Sequence, residues 1–320
     1  MSDKINQVYL LGAGFTRAVV GDIAPLTHEL MANLDISGFT EIHEEYERTL
    51  PDIEQFLSLL DLKVIHFSQR NKSLSDRIQS IRGSIVQQII KQVNTTHLSE
   101  DDLENYLLLK NFIDTVPCGA CIMTLNYDCV LDQGLYLSGR WSPIGGYGDP
   151  YYSDTSKRNE NDNNLRDRIL LLKLHGSSNF TEIESGQEYF EIGISDHIFP
   201  KINLNTINRQ SSPHVLIMSY IKQFHNGIMY LWRKAIFFLQ KADKLIIVGC
   251  SLREEDTFLR FALYHFGRNA NTRRSFIDVI DMGEDNCNKI KEKILKLVEY
   301  PKNQQVNTFP GGLSSYLNRT

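Results

Sequence analysis

Apolar and polar positions alternate along this chain in blocks rather than residue by residue. Six short apolar runs, 7–11, 120–125, 169–174, 214–218, 244–248 and 276–280, lack in/out alternation. Runs of five or six largely apolar residues without that alternation predict strands covered on both faces, as in a parallel sheet flanked by helices. Between them lie helical spacings. Ile78, Ile81, Ile85 and Ile89 recur every three or four residues, as do Phe258, Leu259, Ala262, Leu263 and Phe266. Ile290, Ile294, Leu295 and Val298 predict a further helix near the C-terminus. Strands alternating with helices predict an α/β, Rossmann-like, doubly wound fold with a mainly parallel sheet of about six strands.

One stretch departs from this rhythm. Residues 40–115 carry several helical patterns and no strand pattern, and read as a helical insertion in a single domain spanning 1–320. Two polar segments, 154–167 and 201–212, read as surface loops, and residues from 310 onward as a short tail.

If the strands are parallel, the segments just after them converge on one edge, where open α/β sheets bind their ligands. Those segments are Gly12-Ala13-Gly14-Phe15-Thr16, Asn126-Tyr127-Asp128, His175-Gly176-Ser177, Gly249-Cys250-Ser251 and Asp281. Gly12 and Gly14 permit a tight turn and close approach of a pyrophosphate to a helix N-terminus. The third glycine of the dinucleotide fingerprint is missing, because Arg17 stands in its place. Asn126 and Asp128 either make a turn or hydrogen-bond ribose hydroxyls, a water or a carboxamide. His175, between an apolar strand and Gly-Ser, suits general-base work near neutrality. Cys250 reads as a small packing residue. The acidic run after Ser251 reads as helix capping and surface; Asp52-Ile53-Glu54 either brings a carboxylate near the site or, more simply, opens the first turn of an insertion helix with Glu54.

Composition narrows the classes. Thirty-four basic against thirty-nine acidic residues leave a net charge of -5, which removes the electrostatic reason to expect nucleic-acid binding. No apolar run reaches membrane-spanning length, and Met1-Ser2-Asp3-Lys4 does not start a signal peptide. Five scattered cysteines fit a reducing, cytoplasmic setting. Cys118 and Cys121 form a lone close pair without the second pair or histidines that zinc needs, so no metal is expected.

Taken in order, the motifs resemble the SIR2 superfamily, and within it the SIR2-like domains of bacterial anti-phage defence proteins. The resemblance rests on Leu11-Gly12-Ala13-Gly14-Phe15-Thr16, Pro25-Leu26-Thr27, Asp52-Ile53-Glu54, Thr124-Leu125-Asn126-Tyr127-Asp128, Leu172-Lys173-Leu174-His175-Gly176-Ser177 and Val248-Gly249-Cys250-Ser251-Leu252 with Asp256 downstream. It implies that Asn126 and His175 are catalytic and that Asp128 meets the nicotinamide side. It also implies that the Gly12–Thr16 loop and the Gly249-Cys250-Ser251 turn contact NAD+; Asp281, by its place after the last strand, is a candidate at the adenosine ribose. The paired-cysteine zinc ribbon of the deacylases is absent, as is their Pro-Asp-Phe-Arg stretch, so the resemblance favours hydrolysis of NAD+ as substrate over protein deacylation. A non-catalytic NAD or ADP-ribose-binding module is the alternative. By analogy the chain is expected to form a homo-oligomer, or to be controlled by a partner such as a HerA-type ATPase or another phage sensor.

Overall fold

The computed structural model describes residues 6–94, 98, 103–148, 169–184, 190–194, 214–216, 226–266, 275–299 and 304–319. Segments 154–167 and 201–212, expected to be loops, lie outside the described residues. Nine strands are described: β1 (Gln7–Leu11), β2 (Cys121–Thr124), β3 (Leu170–Lys173), β4 (Gly176–Glu184), β5 (Phe190–Ile194), β6 (His214–Leu216), β7 (Lys244–Val248), β8 (Ser275–Ile280) and β9 (Gln304–Phe309). The helices are α1 (Ala13–Val20), α2 (Thr27–Ala32), α3 (His43–Thr49), α4 (Ile53–Phe67), α5 (Lys72–Val93), α6 (Leu107–Thr115), α7 (Val130–Leu137), α8 (Pro143–Gly146), α9 (Asn226–Lys241), α10 (Thr257–Tyr264), α11 (Glu284–Leu297) and α12 (Gly312–Leu317).

Six strands form one sheet in the order β3-β2-β1-β7-β8-β9, every neighbouring pair parallel. The fold is therefore α/β, Rossmann-like and doubly wound. From β1 the chain winds outward through β2 to β3, then returns to β7 on the other side of β1. That reversal makes the crevice between the ends of β1 and β7 a topological switch point. The strands end level. Lys173, Thr124, Leu11, Val248 and Ile280 stand side by side in register, so the residues after each strand emerge along one straight edge.

Two expectations are corrected. Run 214–218 is not a strand of the parallel sheet; β6 pairs antiparallel with β4, beside β5, in a separate three-stranded sheet. An apolar run reports burial, and burial does not say which sheet supplies it. The sixth parallel strand is instead β9, whose sequence QQVNTF is too polar to predict one. It is an edge strand with one neighbour and a half-exposed surface. The segment from Pro310 onward is not a loose tail. It forms α12, which buries Leu313 and Tyr316. Tyr316 donates to the buried Asp278 carboxylate at 3.2 Å, which also accepts from Asn307 at 2.9 Å and pairs with Lys244 at 2.7 Å.

The described part of 40–115 is helical. Its isoleucines Ile78, Ile81, Ile85 and Ile89 are buried against Phe56, Leu57 and Leu60 of α4, in a core that also includes Leu30, Met31 and Tyr127. Tyr127 comes from the loop after β2, so this second core adjoins the sheet edge. No helix among the described residues is long and apolar enough to cross a membrane.

Candidate functional site

Above the level strand ends lies a cavity of about 420 Å³. Its lining includes Gly12, Ala13, Gly14, Thr16, Asn126, Asp128, His175, Gly249, Cys250, Ser251 and Asp281, drawn from five adjacent strands. Four strand spacings make this edge roughly 19 Å long, so the cavity suits an extended ligand. Phe15 does not line it. Its ring is buried against Phe112 at 4.8 Å, on the core side of α1.

The glycines answer first to each other. A Cβ on Gly12 would stand 2.4 Å from the Gly249 carbonyl oxygen, and one on Gly14 would stand 2.8 Å from Gly249 Cα. Gly249 itself has φ +56°, and a Cβ there would meet the Gly14 carbonyl carbon at 2.4 Å. The turns after β1 and β7 thus pack backbone on backbone across the switch point, with the Gly14 amide donating to the Gly249 carbonyl at 3.0 Å. Further along the second turn, buried Leu252 adopts φ +49°. Lys293 of α11 donates to the carbonyls of Ser251 and Leu252 at 3.1 and 3.3 Å, holding that turn in place.

Asn126 is locked in one orientation. Its Nδ2 donates to the Gly12 carbonyl and to Thr16 Oγ1, both at 2.9 Å. A backbone carbonyl can only accept, which assigns the amide unambiguously. Both side-chain hydrogens are spent, so Asn126 offers a ligand only its Oδ1 acceptor. Thr16 in turn donates to Asp128 Oδ2 at 2.9 Å, while the Val130 amide donates to Asp128 Oδ1 at 3.1 Å. Burial pushes the Asp128 carboxyl above its ordinary range, against the pull of Lys173 and the hydroxyl of Thr16. Behind it, fully buried Lys173 pairs with Asp132 at 3.1 Å and donates to the Asp128 carbonyl.

His175 sits at the β3 end of the edge. Its Nε2 is 2.7 Å from Asp256 Oδ2, and its Nδ1 is 3.9 Å from Glu54 Oε1. Glu54 Oε2 pairs with Arg253 at 3.3 Å, and Arg253 also reaches Asp52 at 3.5 Å. Tyr127 and Trp232 flank the imidazole, each with ring centroid 6.2 Å away. Asp52 and Asp256 do cap α4 and α10, accepting the amides of Glu54 and Leu259. Capping is only part of what Asp256 does: it lines the cavity beside His175, as does Glu54 in the first turn of α4. Arg253, Lys289 and Lys293 line it too, and no pattern in the sequence marks them out from other surface cations. Cys250 behaves as a packing residue, its thiol pushed up to about 12 by burial. Among the described residues no cluster of three or more His, Cys, Asp or Glu side chains could hold a metal ion.

No family model matches the chain, and neither does any curated protein. Solved structures similar to it along most of their length include a sirtuin described for its substrate affinity, at 12% identity and TM-score 0.40 over 98% of this chain and 91% of that one. A Sir2 homologue in complex with NAD shows 9% identity and TM-score 0.38 over 99% and 88%. A Sir2 protein bound to a propionylated peptide shows 12% identity and TM-score 0.37 over 98% and 91%.

Proposed function

We propose that the chain binds NAD+ along the switch-point cavity and hydrolyses its nicotinamide–ribose bond, releasing nicotinamide and ADP-ribose or a cyclic variant. The observation that carries this reading is the meeting of Asn126 and His175 with the paired glycine turns in one cavity. The ordered motifs that resemble SIR2-like domains point the same way.

The reaction needs a nucleophile held at the anomeric carbon and a group to take its proton. Asn126 Oδ1, the only side-chain atom that residue has to offer, accepts from the attacking water or ribose hydroxyl and aims it. As the new C–O bond forms, the electron pair of the broken C–N bond leaves on nicotinamide, and the hydroxyl proton passes to His175. The glycine turns and the start of α1 receive the pyrophosphate, and Asp281 meets the adenosine ribose. Lys289 lines the same cavity and adds positive charge to it.

The test is incubation of purified protein with NAD+, with nicotinamide, ADP-ribose and cyclic products resolved by chromatography. Asn126→Ala is expected to abolish turnover while leaving the fold intact, and His175→Ala to slow it about 10²–10⁴-fold, the usual worth of a general base. A fully active Asn126→Ala variant refutes the assignment.

The same reading makes the chain a regulated anti-phage effector, since unchecked loss of NAD+ harms its own cell. Control through a homo-oligomer or a partner such as a HerA-type ATPase fits this role. The insertion offers exposed Leu62 and Ile65 on α4 for contact. Gel filtration that finds a monomer fully active alone counts against it.

A further inference from the structure

We propose that Asp256 is a positioning residue that sets the tautomer of His175, and so selects Nδ1 as the nitrogen that takes the proton. The inference rests on the hydrolysis proposed above and assigns a task to a residue outside it.

Asp256 is buried, and each of its oxygens is committed. Oδ1 accepts the Leu259 amide at 3.1 Å as the N-cap of α10, and Oδ2 lies 2.7 Å from His175 Nε2. The carboxylate cannot swing away from the ring without losing the cap. An ionised carboxylate only accepts, so the hydrogen sits on Nε2 and the lone pair of the neutral ring on Nδ1. Glu54 does not compete for the role. Its Oε1 is 3.9 Å from Nδ1, beyond hydrogen-bond reach, and its other oxygen is paired with Arg253. The two carboxylates beside the ring therefore differ in function: one orients it, the other is tied to a guanidinium.

When the nucleophile's O–H proton moves to Nδ1, the ring becomes an imidazolium whose charge lies against Asp256. That carboxylate stabilises the charge while its own proton count stays the same, and the imidazolium later releases the proton to water.

Asp256→Asn tests this. Asparagine caps a helix as well as aspartate does, so α10 keeps its cap. The new amide donates to Nε2, which moves the ring hydrogen to Nδ1 and removes the acceptor. Turnover number is expected to fall about 10²–10⁴-fold, with KM for NAD+ and melting temperature little changed. ¹⁵N-histidine NMR reads the tautomer directly, with the His175 signals identified by their loss in His175→Ala. The wild-type ring is expected to carry its hydrogen on Nε2 and the variant ring on Nδ1, while Glu255→Gln, on an exposed neighbour, changes neither. A wild-type ring protonated at Nδ1 overturns the proposal, and that measurement needs no variant to fold. So does an Asp256→Asn ring that keeps its hydrogen on Nε2. If wild-type protein leaves NAD+ intact yet its ring switches as described, the hydrolysis reading falls and the tautomer assignment stands.

Discussion

Thr16 has one hydroxyl and two clients, buried Asn126 and half-buried Asp128. It accepts from Asn126 Nδ2 and donates to Asp128 Oδ2, each at 2.9 Å, so it links the amide assigned to aim the nucleophile to the carboxylate below it. Thr16→Val keeps the shape and strands both partners. The expected result is a loss of about 1–3 kcal/mol in stability, the usual penalty for a buried polar group without its partner. Turnover falls as well, because the side-chain amide of Asn126 then keeps only its bond to the Gly12 carbonyl. Thr16→Ser restores both, and denaturant melts beside product chromatography check the pair. At this scale much of the site was legible. Asn126, His175 and the glycine turns follow apolar runs directly, and level strand ends turn that adjacency into convergence. Phe15 misled because a residue inside a loop motif can still face the core. Asp256 was hidden for a different reason. A capping carboxylate has a second oxygen, and nothing in a sequence says where it points.

The stretch from Gly21 to Ala32 lines one wall of the cavity through Ala24, Pro25, Leu26, Thr27, His28 and Leu30, and Arg17 fastens it to α1. The guanidinium grips both oxygens of Glu29 at 2.7 and 3.1 Å, the carbonyl of Ala24 at 2.7 Å and Asp22 at 3.1 Å. Arg17, which occupies the place of a third glycine, is thus what holds this wall. Its hydrogen bonds, followed by the amide of Leu26, keep the Glu29 carboxyl below its ordinary 4.5. A group lowered in the folded state contributes its stability above the unfolded value and loses it as pH falls through the folded one. Protection factors of amides in 21–32 are therefore expected to drop as pH falls below 4.5, while those of β1 and β7 hold. Arg17→Gln produces the same local loosening at neutral pH. Hydrogen exchange followed by mass spectrometry reads both. The parallel strands β1, β7 and β8 were legible because they are buried on two faces. The edge strand β9 was not, since one neighbour and a half-exposed surface demand few apolar residues. β6 was visible as a strand but not as a member of another sheet, because pairing partners leave no local mark.

Across the whole molecule the five cysteines behave as four inert thiols and one accessible one. Cys121, Cys129, Cys250 and Cys287 are buried, and Cys118 is exposed. Burial pushes the thiols of Cys129 and Cys250 up to about 12, so neither supplies a thiolate near neutrality. A colorimetric disulfide reagent is expected to titrate one thiol per native chain promptly and all five after denaturation. Prompt reaction of Cys250 would mean that the turn after β7 opens in solution.

The backbone contact between Gly14 and Gly249 has a consequence for how the protein is made. Its two sides lie far apart along the message, and Asp281 joins the cavity later still. A ribosome adds roughly 5–20 residues each second, so for many seconds the nascent chain carries its first glycine turn with nothing to pack against it. Neither the cavity wall after β7 nor the Asp256 that orients His175 exists in that interval. On the hydrolysis proposed above, an enzyme that consumes a cofactor its own cell needs is thereby harmless while it is being synthesised, and a copy truncated before β7 stays so.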